Sequence, residues 1–208
     1  MRTSRGIFGS GQCPRTVEHA DDSDADQSCA CGTSLQREGT DRFWFPAIWD
    51  PQTNTITTQP VTWDMFCNGM VVLPDGRPFI NGGTLQYDPF HGELKSAVFD
   101  PATNTFTNVQ NMAHGRWYPT VTTLGDGRVM TFSGLDENGN TNTSVEIYSV
   151  NSGWSAQFSA SWTPPLFPRM HVLPSGKVFY SGATTTSRIF DPSAHTWTNV
   201  ATTNYSST

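Results

Sequence analysis

Two short segments of the chain carry the residues best suited to chemistry: 63–69 (WDMFCNG) and 114–120 (HGRWYPT). Cys67 supplies a thiol and Tyr118 a phenol, and each comes just before a predicted strand. A cysteine is most often a small buried hydrophobe and a tyrosine a core aromatic, so neither residue alone indicates a reactive site. They become informative as a pair, because they hold equivalent places in consecutive copies of an internal repeat. Equivalent positions of neighbouring repeats lie side by side, so we expect Cys67 and Tyr118 to be adjacent.

The pair resembles the active-site motifs of a known enzyme family. The sequence DMFCxG at 64–69, followed one repeat later by GRWYPT at 115–120, is similar to the galactose oxidase and glyoxal oxidase group of copper radical oxidases. The resemblance extends from about Trp44 to the end of the chain. It implies a thioether between the Cys67 sulfur and a ring carbon of Tyr118, a radical on that ring, and copper ligation by Tyr118.

The copper site of the family needs more ligands than this chain supplies. The resemblance implies three further ligands: a second tyrosine followed directly by a histidine, and another histidine from a later domain. Nitrogen and oxygen donors of this kind suit copper(II). None of the five tyrosines here is followed by histidine, so only Tyr118 is carried over as a metal ligand. We therefore expect the 208-residue chain to be an inactive fragment of a longer oxidase.

Three neighbours of the pair are candidate substrate-pocket residues. Phe66 and Trp117 flank the pair, and in the family an aromatic wall shields the radical and shapes the pocket. Glyoxal oxidase has tryptophan at the position of Trp117, where galactose oxidase has glycine, which favours small aldehydes or alcohols over a hexose. Arg116 precedes Tyr118 in both types. For this residue, an ion pair or a clamp on backbone carbonyls is favoured over substrate contact.

The elements that must position these residues repeat along the chain. A turn that follows an aromatic residue recurs at 49–55, 99–105 and 190–196, with a degenerate copy at 148–153. Tighter hairpins, in which Asp-Gly or Ser-Gly separates apolar runs, recur at 73–77, 124–128 and 173–177. The interval of about 50 residues is typical of kelch repeats.

Each repeat predicts a four-stranded antiparallel meander, so the fold class is all-β. We predict complete blades at 69–109, 120–158 and 170–200, with 45–58 as the outer strands of an earlier blade. Residues 43–208 should therefore form part of a kelch-type β-propeller, about three and a half blades of the seven that the family uses. Closed propellers have about four to eight blades, so the remaining blades are expected to be missing.

The composition argues against nucleic-acid binding and against a membrane-spanning helix. The formal net charge is −6 and charged residues make up 14% of the chain, whereas nucleic-acid binding needs a basic face. No apolar run approaches the roughly 18 residues that a membrane-spanning helix requires. We therefore predict neither nucleic-acid binding nor a membrane span.

Residues 1–42 differ from the repeat region. They hold the acidic run 21–26 and the cysteines at 13, 29 and 31, and they show no sustained hydrophobic period. The Cys-x-Cys spacing matches no common zinc pattern, so metal binding is disfavoured there. We predict a poorly structured acidic segment with no visible signal peptide.

The resemblance implies oxidation of a small alcohol, aldehyde or sugar by O2 to give H2O2. Its cofactors would be copper and the radical cofactor made from Cys67 and Tyr118. The family also implies an extracellular or cell-surface location. The alternative is a non-catalytic kelch module that binds a protein or glycan, because a fold does not fix a function.

Overall fold

The structure, a computed structural model, describes residues 6–8, 29–34 and 44–204, with side chains from residue 46 onward. These residues form strands and contain no helix, which confirms the all-β prediction. The strands of the first sheet are β1 (Gly6–Phe8), β2 (Cys29–Ser34), β3 (Trp44–Asp50) and β4 (Thr55–Thr58). Strands β2 to β4 pair in antiparallel order, whereas β1 runs parallel to β2.

The second sheet carries the strand that follows Cys67. Its strands, in spatial order, are β5 (Gly69–Val72), β6 (Pro78–Asn81), β9 (Ser96–Asp100) and β10 (Thr105–Asn108). A two-stranded hairpin of β7 (Thr84–Gln86) and β8 (His91–Gly92) lies between β6 and β9 in the sequence. The repeat pattern does not predict this hairpin, because its residues follow no regular apolar alternation.

The third and fourth sheets repeat the same order. The third contains β11 (Thr120–Thr123), β12 (Val129–Phe132), β13 (Ser144–Ser149), β14 (Gly153–Trp154) and β15 (Phe158–Ser159). The fourth contains β16 (Met170–Val172), β17 (Val178–Tyr180), β18 (Thr186–Asp191) and β19 (Thr196–Thr202). All pairings within both sheets are antiparallel. Three consecutive antiparallel meanders therefore appear where the sequence predicts them.

One predicted strand, 154–158, is divided into β14 and β15, which both pair with β13. The break falls at Ser155, whose Oγ accepts the backbone N–H of Ile147 at 3.0 Å. A side-chain oxygen here takes the place of a backbone carbonyl, and such local hydrogen bonds compete with a regular ladder.

The structure also places strands β1 and β2 within 1–42, where the sequence predicts no strand. The register of β2 on β3, from Cys29 opposite Trp49 to Ser34 opposite Trp44, is made by backbone pairing, which needs no apolar period. Cys13 and the acidic run 21–26 lie outside the described residues. The domain boundary at residue 42 stays a prediction.

The first strands of sheets two, three and four lie side by side. Strand β11 contacts both β5 and β16, and Thr123 Oγ1 donates to the carbonyl of Val72 at 3.0 Å. The ends of β5 and β11 are close, since a Cβ on Gly69 would meet the side chains of Val121 and Pro119. This arrangement brings the residues that precede the three strands together.

Apolar layers between successive sheets hold the array together. Ile48, Ile80 and Phe99 join sheets one and two; Phe79, Val129 and Tyr148 join sheets two and three; Phe132, Val178 and Phe190 join sheets three and four. Alternate residues of each strand supply these layers, because successive side chains of a strand point to opposite faces.

Candidate functional site

An arc of three residues in left-handed backbone conformation leads into the three first strands. Cys67, Tyr118 and Phe167 have φ angles of 59°, 63° and 48°. The Tyr118 N–H donates to the Cys67 carbonyl at 2.8 Å, and the Phe167 N–H donates to the Tyr118 carbonyl at 3.0 Å. Left-handed conformations cost non-glycine residues roughly 1–2 kcal/mol each, and such strain concentrates at functional sites.

The turn before β5 fixes the backbone of Cys67. One carboxylate oxygen of Asp64, Oδ1, accepts the Phe66 N–H at 2.8 Å. The Asn68 side chain donates to the Met65 carbonyl at 2.6 Å, and Thr84 Oγ1 donates to the Phe66 carbonyl at 2.9 Å. Side chains therefore satisfy the polar groups of a tight turn, as Asp and Asn commonly do. Cys67 is 7% exposed.

The loop before β11 holds Tyr118 in a different way. Trp117 forms a reciprocal pair of backbone hydrogen bonds with Leu135, both 2.8 Å. One residue earlier, the Arg116 carbonyl accepts the N–H of Gly83 at 3.0 Å, which ties the loop to the second sheet. Gly82, with φ at +71°, is needed beside it because a Cβ there would strike the Arg116 carbonyl.

Aromatic rings form a continuous wall beside the arc. The ring-centroid separations are 6.1 Å for Phe66 and Tyr87, 5.6 Å for Tyr87 and Phe90, 4.3 Å for Phe90 and Trp117, 4.8 Å for Trp117 and Tyr118, and 6.1 Å for Tyr118 and Phe167. All five lie in or near the range of contacting aromatic pairs. The structure thus brings Phe66, Trp117 and Tyr118 into one chain of rings. Tyr118 is 38% exposed and Phe167 is 59% exposed, so one end of the wall faces solvent.

Sequence reasoning missed three members of this wall. Phe167 could have been found, because Phe167-Pro168 precedes β16 as Tyr118-Pro119 precedes β11. Tyr87 and Phe90 lie between β7 and β8, in an insertion that interrupts the repeat. No feature of the repeat pattern distinguishes these two rings from surface aromatics.

The described contacts of Arg116 are structural. Its side chain is 0% exposed. The guanidinium donates to Glu146 Oε1 at 2.9 Å, to the Ser133 carbonyl at 2.9 Å and to Ser144 Oγ at 3.1 Å. Burial lowers the pKa of Arg116, and the Glu146 carboxylate opposes that effect. These are the ion pair and carbonyl clamp that the sequence favours, and we leave Arg116 out of the substrate pocket.

A carboxylate with a perturbed pKa lies next to the Cys67 turn. Burial raises the pKa of Asp64 above 3.8, although hydrogen bonds from the Tyr87 hydroxyl and the Phe66 N–H act in the opposite direction. Tyr87 Oη donates to Asp64 Oδ2 at 2.7 Å. Burial and this hydrogen bond raise the pKa of Tyr87 as well, so the phenol stays protonated at physiological pH.

Two curated relatives match the chain in sequence. No protein-family profile matches the chain. Over 122 residues the chain is 29% identical to "Galactose oxidase" from Gibberella zeae, covering 57% of this chain and 17% of the relative. Over 151 residues it is 29% identical to "Aldehyde oxidase GLOX" from Vitis pseudoreticulata, covering 67% of this chain and 27% of the relative. These matches support a similarity to the galactose oxidase and glyoxal oxidase family.

A solved structure gives a matching fold for this chain. The structure is described as "Novel fungal alcohol oxidase with catalytic diversity among the AA5 family, in complex with copper". It superposes with a TM-score of 0.64 at 17% identity, covering 83% of this chain and 39% of that one. This likeness concerns the fold alone. The chain spans only about a sixth to a quarter of the length of the two curated relatives.

The chain does not assemble a complete copper donor set in the part that the structure describes. No three His, Cys, Asp or Glu side chains come together there in a way that could hold a metal ion. The Nδ1 atom of His91 contacts the Glu137 carbonyl at 2.9 Å, and that of His114 contacts a Glu137 carboxylate oxygen at 2.8 Å. His171 is hydrogen-bonded to Ser181. Tyr118 can offer a phenol oxygen, but one donor cannot set the tetragonal geometry that copper(II) prefers.

No helix long and apolar enough to cross a bilayer occurs in residues 6–8, 29–34 or 44–204.

Proposed function

We propose that this chain is part of a copper radical oxidase that oxidises a small primary alcohol or aldehyde with O2 and produces H2O2. Cys67 and Tyr118 would form its radical cofactor. The observation that carries the proposal is the 2.8 Å hydrogen bond from the Tyr118 N–H to the Cys67 carbonyl. It joins the two motif residues at equivalent places in adjacent sheets, and both are held in a strained backbone conformation. The names of the two relatives, a galactose oxidase and an aldehyde oxidase, support the reaction class.

Within this proposal, sheets two, three and four are successive kelch blades, and their side-by-side first strands are the innermost strands. The repeat of about 50 residues and the contacts of β11 with β5 and β16 support this assignment. Trp117 and Phe66 would shield the Tyr118 ring, and the exposed ring of Phe167 would line the approach to it. A bulky indole leaves less room than a glycine, so the proposed substrate is small. The family resemblance also supports an extracellular location.

The residues described here do not fit a full copper site, and we derive no step through the metal. We propose that Tyr118 is the one copper ligand in this part of the protein and that the other donors come from elsewhere. The chain covers only 17% and 27% of the length of the two relatives, which supports the proposal that the other donors come from elsewhere. The chain of 208 residues should therefore lack oxidase activity by itself.

The test is an oxidase assay on the natural gene product that contains these residues. After copper loading, we expect H2O2 release with small primary alcohols or aldehydes, and loss of that release in Tyr118→Phe and Cys67→Ser. A matched control is Tyr148→Phe, which changes a buried tyrosine in the layer between sheets two and three. A copper-loaded protein that releases no H2O2 with either substrate class would overturn the proposal.

A second candidate function is binding of a glycan without catalysis. It is favoured by the incomplete donor set together with exposed rings at one end of the wall, since aromatic faces provide apolar surface for a ligand. Glycan-array binding that is unaffected by copper and lost in Phe167→Ala would support this reading, provided the oxidase assay is negative.

A further inference from the structure

The aromatic wall connects Tyr118 to a second tyrosine. Tyr118 contacts Trp117 with ring centroids 4.8 Å apart. Trp117 stacks on Phe90 at 4.3 Å with an interplanar angle of 16°, and Phe90 meets the edge of Tyr87 at 5.6 Å. Rings in contact are electronically coupled, so an electron can pass between the two tyrosines through Trp117 and the intervening phenylalanine.

Tyr87 differs from Trp117 in having a proton acceptor. Its Oη donates to Asp64 Oδ2 at 2.7 Å. One-electron oxidation turns a phenol into a strong acid, so a carboxylate that takes the proton makes the oxidation easier. The indole Nε1 of Trp117 is buried and has no hydrogen-bond partner among the described residues. An oxidising equivalent that reaches Trp117 is therefore better stabilised at Tyr87.

The environment of Asp64 suits a base that accepts this proton. Burial raises the pKa of Asp64, and a carboxylate of raised pKa holds a transferred proton more firmly. Asp64 is fixed by the Phe66 N–H, which donates to Oδ1 at 2.8 Å, so Oδ2 stays aimed at the phenol. The second tyrosine is itself partly exposed. Reductants in solvent can therefore reach this region.

We propose that Tyr87, paired with Asp64, is a second one-electron redox site that drains oxidising equivalents from Tyr118. In the step, Tyr87 loses one electron and its Oη proton. The electron passes through Phe90 and Trp117 and reduces the oxidised Tyr118 ring, while the proton goes to Asp64 Oδ2. The resulting Tyr118 phenolate takes a proton from water at its exposed edge.

The oxidant can be any one-electron oxidant strong enough to oxidise a tyrosine. The step requires neither copper nor an alcohol, so the inference does not rest on the proposed function. Its failure and the failure of the oxidase assay are therefore separate results. The role it gives to Tyr87 is protection, since it removes oxidising equivalents in excess of the one that the proposed radical cofactor of Cys67 and Tyr118 uses.

The experiment creates the oxidising equivalent at the Tyr118 end of the wall in the 208-residue chain. Phe167→Cys replaces an exposed ring whose centroid is 6.1 Å from that of Tyr118, and a ruthenium polypyridyl photo-oxidant is attached there. The three cysteines at 13, 29 and 31 are changed to serine, and Cys67, at 7% exposure, is protected by burial. Flash photolysis is carried out with a spin trap and a sacrificial electron acceptor, which takes one electron from the excited ruthenium(II) and leaves the ruthenium(III) oxidant. Digestion and mass spectrometry follow. Trypsin leaves Tyr87 and Tyr118 on different peptides, since Lys95 and Arg116 lie between them.

The expected result is that most spin-trap adduct is found on Tyr87. In Asp64→Asn the amide can accept a hydrogen bond but not the proton, and we expect about tenfold less adduct on Tyr87, with adduct remaining on Trp117 or Tyr118. A tenfold change in an equilibrium corresponds to about 1.4 kcal/mol. Phe90→Leu, which removes the ring between Trp117 and Tyr87, should also lower the amount of adduct on Tyr87.

The controls separate the relay from direct oxidation. Tyr148→Phe removes another tyrosine whose pKa is raised by burial, and it should leave the adduct distribution unchanged. Tyr87→Phe keeps every ring of the wall and removes only the hydroxyl that donates to Asp64. It therefore tests whether Tyr87 is the redox site without a change in packing. The proposal is overturned if the adduct stays on Trp117 and Tyr118 in the parent chain. It is equally overturned if the Tyr87 adduct is undiminished in both Asp64→Asn and Phe90→Leu.

Discussion

At the scale of single residues, the site depends on backbone conformation as much as on side-chain type. Cys67 and Tyr118 both occupy the left-handed region, which reverses the chain just before β5 and β11. The reversal places the two residues at adjacent strand ends and joins them by a backbone hydrogen bond. The sequence positions of the pair therefore become a spatial contact through strained turns that side chains such as Asp64 hold in place.

The hydroxyl of Tyr118 should matter for chemistry and not for folding. The ring packs against Trp117 and Phe167 and is 38% exposed, so Tyr118→Phe keeps the packing. We expect the free energy of unfolding to change by less than about 0.5 kcal/mol, as measured by urea denaturation. A loss of several kcal/mol would mean that Tyr118 is a structural residue and would weaken the proposed role.

The raised pKa of Asp64 predicts a specific pH dependence of stability. A carboxyl group whose folded pKa exceeds its unfolded value binds protons more tightly when folded, so its contribution to stability falls as pH rises from about 3.8 through the raised pKa. The titratable group that is hydrogen-bonded to it, Tyr87, does not titrate in this acidic interval.

Comparison of the parent with Asp64→Asn isolates the contribution of Asp64 ionisation to the free energy of unfolding, because asparagine does not titrate. Urea denaturation at several pH values should show that the stability of the parent relative to the variant decreases as pH rises through the interval and is then constant. A difference that increases with pH would have the wrong sign and would mean that the Tyr87 and Phe66 hydrogen bonds outweigh burial.

At the scale of elements, the loop before β11 is anchored by a buried ion pair. The Glu146 carboxylate accepts hydrogen bonds from the Arg116 guanidinium at 2.9 Å and from the Ala113 N–H at 2.8 Å. The side chains of Arg116 and Glu146 are both 0% exposed. Removal of one partner leaves a buried charge without its counterion. We expect Glu146→Gln to cost roughly 3–5 kcal/mol of folding free energy, measured by chemical denaturation.

The matched control is the exposed ion pair of Asp126 and Arg128, in which the carboxylate and the guanidinium lie 2.8 Å apart, close to the 2.9 Å of the buried pair. Asp126→Asn should cost no more than about 1 kcal/mol, because exposed pairs are screened by water. Equal small effects of the two substitutions would contradict the anchoring role of Glu146.

Strand placement was predictable from sequence because hairpin turns and Asp-Pro turns recur at fixed intervals. The strands of the three meanders begin and end within a residue or two of their predicted bounds, apart from the division at Ser155. The adjacency of Cys67 and Tyr118 was predictable from their equivalent places in the repeat, while their role in a site stays a prediction. The rings of Tyr87 and Phe90 were not, because they belong to an inserted hairpin, and the role of Asp64 became visible only through its hydrogen bonds.

At the scale of the whole molecule, the fourth sheet has one face packed on the third sheet and one face open. Val178, Tyr180 and Phe190 are 0% exposed on the packed face, whereas β19 is largely exposed along its length. Terminal units of repeat folds normally need a polar cap, yet Val172 and Val200 remain 37% and 53% exposed. We therefore expect the 208-residue chain to self-associate through this face.

Sedimentation velocity over a range of concentrations tests this expectation, with Val200→Lys as a variant that adds charge to the open region. Association should rise with concentration in the parent and fall in the variant. A parent chain that stays monomeric at every concentration, with a single cooperative unfolding transition, would contradict it.

The most direct test of the oxidase assignment is the covalent state of Cys67 and Tyr118 in the natural copper-loaded protein. Digestion and mass spectrometry would show whether the peptides that carry the two residues are joined. We expect one linked species whose mass is two hydrogens below the sum of the separate peptides, and we expect its loss in Cys67→Ser. Separate peptides, with a reduced Cys67 thiol and an unmodified Tyr118 ring in protein known to contain copper, would contradict the assignment.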